Sequence, residues 1–326
     1  MIRQERTTQG LQTRKTKWRK EQIFAMVVAC IPLLGFIIFN GFPLIISFIG
    51  MFCNVDLYNL DINWNNFEGF KSVFQKGHGF DLFGFDVGSY FYKSLGITMW
   101  VASTQLLTLG IALVMAVLLE RKLRGTGLFR VLFFIPYICS SVSVGLMWKW
   151  VFAHEGGILN TLFGTNIEWL KDPTYMTWCI IIAVIWQAPG YGIVMYKAAF
   201  ANVNASLYEA AALDGAGEWK TFRYITLPSI APTTFYLMMA GVTAGVLTYD
   251  IAALVIEDAW GVPGGVESMG LTLMRLVYYL ITNGTTTDAN GVSYMVSCAS
   301  VISWVLFLIT GVLSMILFKK RERSME

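Results

Sequence analysis

Residues 209–228 read Glu209-Ala-Ala-Ala-Leu-Asp-Gly-Ala-Gly-Glu-Trp-Lys-Thr-Phe-Arg-Tyr-Ile-Thr-Leu-Pro228, a stretch that mixes charged residues with alanines and aromatics. It lies between two long uncharged stretches, Met176–Tyr196 and Ile230–Tyr249. A membrane-spanning helix needs roughly 20 mostly apolar residues, so each flanking stretch is long enough to cross a bilayer. The pattern predicts a loop that joins two spans on one side of a membrane.

Uncharged stretches of this kind recur along the whole chain. Of its 326 residues 56% are hydrophobic and 14% are charged, whereas soluble domains carry about 25% charged residues. Lipid admits only helices or closed barrels, and these stretches lack the alternation of barrel strands. We therefore predict an all-α membrane protein with six transmembrane helices, the other four being Ile23–Cys53, Ser94–Leu119, Val131–Met147 and Val292–Phe318.

The basic residues indicate the orientation of this bundle. They cluster before the first span, between spans two and three, and after the last span. Because cytoplasmic loops carry the excess of Lys and Arg, both termini and the loop between spans four and five are expected in the cytoplasm. The predicted parts are a basic cytoplasmic segment (1–22), a six-span domain (23–318) with its loop at 201–229, and a basic cytoplasmic tail (319–326).

Three segments are expected on the outer side. Asn54–Lys93 is predicted to form a small cap of short helices and turns, and Val151–Tyr175 to be a loop in which Asp172-Pro173 starts a helix. In the third, Ser268–Thr282 is apolar but short and contains Arg275. We expect it to lie in the interface or against the bundle, because a seventh span would place the basic C-terminus outside.

No motif for catalysis or nucleotide binding is present in the sequence. The phosphate loop G-x-x-x-x-G-K-[ST] is absent, and Gly217-Glu-Trp-Lys220-Thr221 is only superficially similar to it. The two histidines, His78 and His154, are both assigned to outer loops, which excludes an H-E-x-x-H metal site. We therefore predict that the chain is not an enzyme, holds no metal or cofactor, and binds no nucleic acid.

The loop at 201–229 has helix signals of its own. Ser206 is predicted as an N-cap, with Glu209 at the third helical position completing a capping box. Gly215 suits a turn between two short helices, and Leu227-Pro228 is predicted to start the next span. We expect an amphipathic helix across the cytoplasmic face; a helix that merely lies in the interface is the alternative.

The same loop carries a resemblance to a known family. Glu209-Ala210-Ala211, Gly215 and Ile225-Thr-Leu227-Pro228 resemble, at these spacings, the EAA loop of bacterial ABC importer permeases. The longer match from Tyr208 to Ala216 is similar to the carbohydrate-uptake, maltose-permease-like branch, and the likeness extends over roughly residues 90–320. It implies a type I fold of six transmembrane helices with a cytoplasmic coupling helix.

The resemblance also implies partners and a role for the loop. The chain would be the permease of a binding-protein-dependent importer in a bacterial cell membrane. Its partners would be two ATPase subunits that bind ATP and Mg, a second homologous permease, an extracytoplasmic solute-binding protein and a carbohydrate. In this family the loop helix sits in a groove of the ATPase, which implies coupling roles for Glu209, Ala210, Ala211, Asp214, Gly215, Ile225, Leu227 and Pro228.

The spans on either side of the coupling loop line the central substrate site in the maltose-permease branch. Mapped onto this sequence by the number of residues from Glu209, the resemblance implies one wall of Val184, Gln187, Ala188 and Tyr191, and another of Gly241, Ala244 and Gly245. Two alternatives stay open for these residues. Gly241 and Gly245 form a G-x-x-x-G pattern that also serves helix packing, and Asp250, near the outer end of span five, is as compatible with a solvated or ion-paired role as with substrate contact.

Other functions remain open at this point. An ABC permease for a non-sugar solute would share the loop. An ion-coupled secondary transporter would be expected to carry carboxylates inside its spans, whereas those of this chain cluster outside them. A membrane enzyme would need a catalytic constellation, and the sequence lacks one. One departure from the family is Gly261-Val-Pro263-Gly264-Gly265 in place of a Gly-Gly-Pro turn, which predicts a different outer vestibule.

Overall fold

The structure is a computed structural model that describes residues 22, 24–55, 62–77, 86–120, 126–257, 263–282 and 295–322. Within these residues the chain is mostly helical, with one two-stranded hairpin. The helices are α1 (Phe24–Gly50), α2 (Glu68–Phe74), α3 (Val87–Glu120), α4 (Thr126–Ile138), α5 (Ser141–Val151), α6 (Ile158–Phe163), α7 (Pro173–Gln187), α8 (Pro189–Ala201), α9 (Ala205–Leu213), α10 (Glu218–Thr221), α11 (Leu227–Ser229), α12 (Ala231–Val246), α13 (Asp250–Val255), α14 (Leu273–Thr282) and α15 (Met295–Glu322).

Five helical stretches of the described chain are long and apolar enough to cross a membrane: α1, α3, α7 with α8, α12 with α13, and α15. The remaining predicted span, Val131–Met147, is the third along the chain. It corresponds to α4 and α5, which meet at an angle of 104°. Ser140 lies at the corner with an extended backbone (ψ 140°), and its side chain accepts a hydrogen bond from Ser143 N. The third predicted crossing is therefore a bent helix pair, because Ser140 caps a new helix inside the apolar stretch.

The long helix α3 runs through the middle of the bundle and packs against α8, α12, α7 and α14. Small buried residues such as Ala102, Ala112 and Ala116 line its contact face, which lets helix backbones approach closely. The first helix differs, because its apolar side chains are exposed along nearly its whole length. It contacts α15 and the hairpin near Gly50 and otherwise stands outside the bundle.

The segment predicted to form an outer cap contains a feature that the sequence did not predict. Strands β1 (Cys53–Val55) and β2 (Ile62–Trp64) pair antiparallel, with Cys53 opposite Trp64, while helices and turns alone were expected. The predicted helix is present as α2, and Asn65 Nδ2 donates to Ser297 Oγ at 2.7 Å, which ties the cap to α15. Residues 56–61 and 78–85 of the predicted cap lie outside the described residues.

The two other outer segments follow the sequence more closely. Asp172 caps α7 by accepting from Thr174 N at 2.8 Å, as the Asp-Pro signal predicted. The apolar segment Ser268–Thr282 packs against the bundle, since Leu273, Leu276 and Leu280 are buried. Its helix starts only at Leu273, because Val266–Ser268 form a separate 3₁₀ turn.

Candidate functional site

A cavity of about 600 Å³ lies between α3, the α4–α5 corner, α7–α8 and α12–α13. It is built where three of the apolar stretches are interrupted: at Ser140, at Ala188-Pro189, and at Leu247–Tyr249 between α12 and α13. Interrupted helices within a bundle leave backbone and polar side chains free to face a cavity. The described walls combine aromatic rings, hydroxyls, two amides and small residues.

The structure brings together all of the predicted path residues except Gly245. Those that line the cavity are Val184, Gln187, Ala188, Tyr191, Gly241 and Ala244. A methyl group on Gly245 would lie 2.8 Å from Cα of Ala102, so this glycine lets α12 pack closely on α3. One on Gly241 would meet Gln105 at an ordinary 3.6 Å. The packing interpretation of the G-x-x-x-G pattern therefore applies to Gly245, and Gly241 faces the cavity.

The polar groups of the cavity are held by specific hydrogen bonds. Gln187 Nε2 donates to the carbonyl oxygen of Cys139 at 3.2 Å, a carbonyl that the α4–α5 corner leaves outside a regular helix. Tyr191 Oη and Tyr236 Oη are 3.1 Å apart, and the Tyr191 ring lies 5.6 Å from that of Tyr137. These bonds fix one amide and an aromatic wall in orientation.

The sequence interpretation missed the contribution of two other elements. Gln105 and Thr108 line the cavity from α3, and their side chains are 3.3 Å apart. Tyr137 and Ser141 line it from the bent pair. Polar side chains inside the second predicted span were a usable signal for the first two. The Ser140-Ser141 pair was a usable cap signal for the corner.

The coupling loop begins with a different cap from the one predicted. Asn204 is the N-cap of α9, and its side chain accepts from Ser206 N at 3.0 Å. The predicted capping box of Ser206 and Glu209 is therefore wrong. Glu209 lies in the middle of α9 and is exposed. Both Asn and Ser are good N-caps, and Asn204 comes first in the chain.

The predicted turn at Gly215 is present. Gly215 has φ +71°, and its N–H donates to the carbonyl of Ala212 at 3.2 Å, while Ala216 N donates to that of Ala211 at 2.9 Å. This pair of bonds is the Schellman arrangement that ends a helix at a left-handed residue. Glycine adopts that conformation without the steric cost that a Cβ adds.

The second arm of the loop is less regular than predicted. A π-helical turn, Phe222–Thr226, separates α10 from α11, and the span itself begins at Ala231 rather than at Leu227-Pro228. Tyr208 Oη lies 3.1 Å from Thr226 Oγ1, which ties the two arms into a helical hairpin. Large side chains remain uncovered on it: Leu213 is 90%, Trp219 73% and Tyr224 74% exposed.

The predicted coupling residues divide by exposure. Ala211 is buried at 7% exposure, and Ile225 and Leu227 are half-buried. The exposed ones are Glu209, Ala210, Asp214, Gly215 and Pro228. The exposed set and the uncovered large side chains are therefore all accessible on the loop.

Residues 107–323, more than half of the chain, match one protein family. That family is described as the binding-protein-dependent transport system inner membrane component. The chain belongs to this family. It is thus a permease, the multi-pass membrane component of an importer. The resemblance to ABC importer permeases is confirmed, and the family does not favour the interpretation as an ion-coupled secondary transporter.

Relatives and solved structures agree with this assignment. The permease is 28% identical to the probable ABC transporter permease protein YesP of Bacillus subtilis, over 92% of this chain and 91% of the relative. It is 33% identical to the lactose transport system permease protein LacF of Rhizobium radiobacter, over 65% of this chain and 70% of the relative. Its fold is similar to a crystal structure of a bacterial ABC transporter involved in the import of the acidic polysaccharide alginate, with a TM-score of 0.74 and 19% identity over 94% of this chain and 96% of that one.

Proposed function

We propose that this permease forms the membrane path for a carbohydrate, an oligosaccharide or a glycoside, and couples its import to ATP hydrolysis by separate ATPase subunits. The observation that carries the proposal is the helical continuity between loop and cavity. α8 bears Tyr191 at the cavity and ends at Ala201, beside the loop, while α12 starts at Ala231 and bears Gly241 at the cavity. Displacement of the loop would therefore move both cavity walls as rigid bodies.

The chemistry of the cavity supports a saccharide as the substrate. Tyr137 and Tyr191 offer ring faces, on which the C–H surfaces of a pyranose can stack. Gln105 and Gln187 offer amides that both donate and accept hydrogen bonds, which matches the mixed donors and acceptors of sugar hydroxyls. The relative LacF is named for lactose transport, in agreement with this class of substrate.

The exposed surface of the coupling loop supports the proposal that the permease works with partner subunits. Leu213, Trp219 and Tyr224 are large and exposed, which suits a surface that a partner subunit covers. Glu209 is available for a basic group at the rim of that surface. Because the sequence lacks a phosphate loop, ATP and Mg would bind to the two ATPases. The complex would also contain a second permease and an extracytoplasmic binding protein, with both termini of this chain in the cytoplasm.

Reconstitution into proteoliposomes tests the proposal. The permease is co-expressed with its second permease and ATPases, and its binding protein is loaded from a panel of oligosaccharides and glycosides. We expect accumulation of a saccharide that requires ATP and the binding protein and is blocked by vanadate. Uptake that is driven by an ion gradient and insensitive to vanadate, or accumulation of non-sugar solutes alone, would contradict it.

A further inference from the structure

We propose that Asp250 is a specificity-determining residue, through which the cavity accepts neutral saccharides and rejects those that carry carboxylates, such as uronates. The proposal rests on the carbohydrate path proposed above and names the charge class of its substrate. It concerns a residue whose role the sequence left open between a solvated position, an ion pair and substrate contact.

Asp250 is the only charged residue among those of the described chain that line the cavity. Its side chain is exposed, and it forms no hydrogen bond or ion pair with the other described residues. Two other carboxylates are paired, Glu257 with Lys149 and Glu120 with Lys197. The ion-paired role is therefore excluded for Asp250 within the described chain.

The cation on the neighbouring helix α14 is directed elsewhere. Arg275 is 4% exposed, and its guanidinium donates to the carbonyl oxygens of Ala252 at 2.9 Å, Ile256 at 2.6 Å and Gly270 at 3.3 Å. It thereby satisfies carbonyls at the C-terminal end of α13. Arg275 is absent from the cavity lining, so an anionic substrate would meet a carboxylate there and no compensating cation from the residues that the structure describes.

The position of Asp250 is built into the fold by the interruption between α12 and α13. Thr272 Oγ1, fully buried, donates to the carbonyl oxygen of Thr248 at 2.8 Å, which holds this interruption against the start of α14. Tyr249 follows with a non-helical backbone (φ −126°, ψ −61°), and α13 starts at Asp250. The carboxylate therefore stands at the cavity because the helix is broken there.

The neighbours of Asp250 suit sugar hydroxyls. Thr248 and Tyr249 line the cavity beside it, and the Tyr249 ring lies 5.0 Å from that of Tyr278. An ionised carboxylate only accepts hydrogen bonds, so it can bind two O–H groups of a saccharide in charge-assisted bonds. A second carboxylate in the same place would be repelled and would lose its hydration.

This charge preference is not transferred from the similar structure. That transporter is described as an importer of an acidic polysaccharide, while its similarity at 19% identity concerns the fold alone. The preference proposed for the present permease follows from its own cavity lining, in which the described residues supply one carboxylate and no cation.

Binding to the purified importer without its binding protein tests Asp250 directly. Saturation-transfer NMR is used with a panel of neutral oligosaccharides and, for each, the uronate made by oxidising its C6 hydroxyls. For the neutral saccharide that binds most strongly, we expect at least ten-fold weaker binding of the uronate, about 1.4 kcal/mol. Asp250→Asn should weaken binding of the neutral saccharide and bring the two affinities to within about three-fold. Asp250→Glu should keep the preference.

Glu168→Gln is the matched control, because it removes the same charge from an exposed position outside the cavity lining. It should leave the ratio of affinities unchanged. Equal binding of uronate and neutral saccharide by the wild-type importer, or a ratio that Asp250→Asn does not alter, would overturn the role of Asp250 while leaving the carbohydrate path intact. Failure of every neutral saccharide to bind would instead overturn the carbohydrate path, and the role of Asp250 with it.

Discussion

The cavity and the coupling loop of this permease are built in opposite ways. The loop is one continuous segment whose turn, caps and exposed surface come from neighbours within about 20 positions of each other. The cavity draws its walls from four helical regions, and the close packing that holds two of them together, such as Gly245 of α12 on Ala102 of α3, joins distant parts of the chain. Substitutions in the loop should therefore change coupling and spare the fold, whereas substitutions at the cavity should divide into packing and binding effects.

The largest expected effect is on the loop turn. Gly215→Val places a β-branched residue at φ +71°, a conformation that costs a non-glycine residue about 1–2 kcal/mol or more. The α9–α10 turn should rearrange, and ATP-driven uptake should fall at least about ten-fold. Expression in the membrane and saccharide binding should persist, since a Cβ at Gly215 would meet no atom within 4 Å.

Gly217→Ala is the control for that substitution. Gly217 lies two residues further along with φ −71°, and a Cβ there also meets nothing within 4 Å. Alanine is unstrained at this φ, so uptake should stay near the wild-type rate. Equal uptake by Gly215→Val and Gly217→Ala would remove the left-handed turn from the coupling mechanism.

A somewhat smaller effect is expected at the rim of the loop surface. Glu209→Lys reverses a charge that is exposed on α9 and should repel the basic group proposed to meet it. Co-purification of the ATPase should weaken and uptake should fall by about ten-fold, equivalent to 1.4 kcal/mol. Glu209→Gln keeps the shape of the side chain and removes its charge, so its uptake rate should lie between those of the wild type and the Lys variant. Full coupling in the Lys variant would show that Glu209 lies outside the ATPase contact.

The two glycines of the G-x-x-x-G pattern, Gly241 at the cavity and Gly245 in the packing of α12 on α3, offer a matched pair with moderate effects. Gly245→Ala forces a methyl group to 2.8 Å from the backbone of Ala102 and should destabilise the protein by about 1–3 kcal/mol, measured as a lower thermal midpoint. Gly241→Ala meets Gln105 at 3.6 Å and should leave the midpoint unchanged while weakening saccharide binding. Identical stability of the two variants would show that α12 and α3 are not closely packed at Gly245.

The smallest expected effect concerns the aromatic wall. Tyr191→Phe keeps the ring beside Tyr137 and removes the bond to Tyr236 Oη. A typical hydrogen bond contributes about 0.5–1.5 kcal/mol, so the KM for uptake should rise by about two- to ten-fold with kcat little changed. Tyr175→Phe, on an aromatic outside the cavity lining, is the control. No change in KM would place the hydroxyl outside the binding site.

Several outcomes show how far local patterns reach. The Asp172 cap and the Gly215 turn were predicted correctly because each depends on residues within one helical turn. The cap at Asn204 was misassigned because Ser206, another good N-cap residue, lies two positions away. The 104° corner at Ser140 was missed because this cap residue lies inside a stretch without charged residues that is long enough to read as one span.

The amino-acid sequence by itself determined the apolar helices, the family and the place of the coupling loop along the chain, because these depend on composition and on contiguous spacing. It also determined the number of spans, which is six if the bent pair α4–α5 is counted as one. Only the tertiary structure decided that Gly241 faces the cavity while Gly245 packs on α3, that Gln105 joins the lining, and that Asp250 stands there without a partner among the described residues. Two glycines four positions apart lie on the same face of a helix, and the sequence does not distinguish them. The helix that packs against that face determines whether each one meets a backbone or open space.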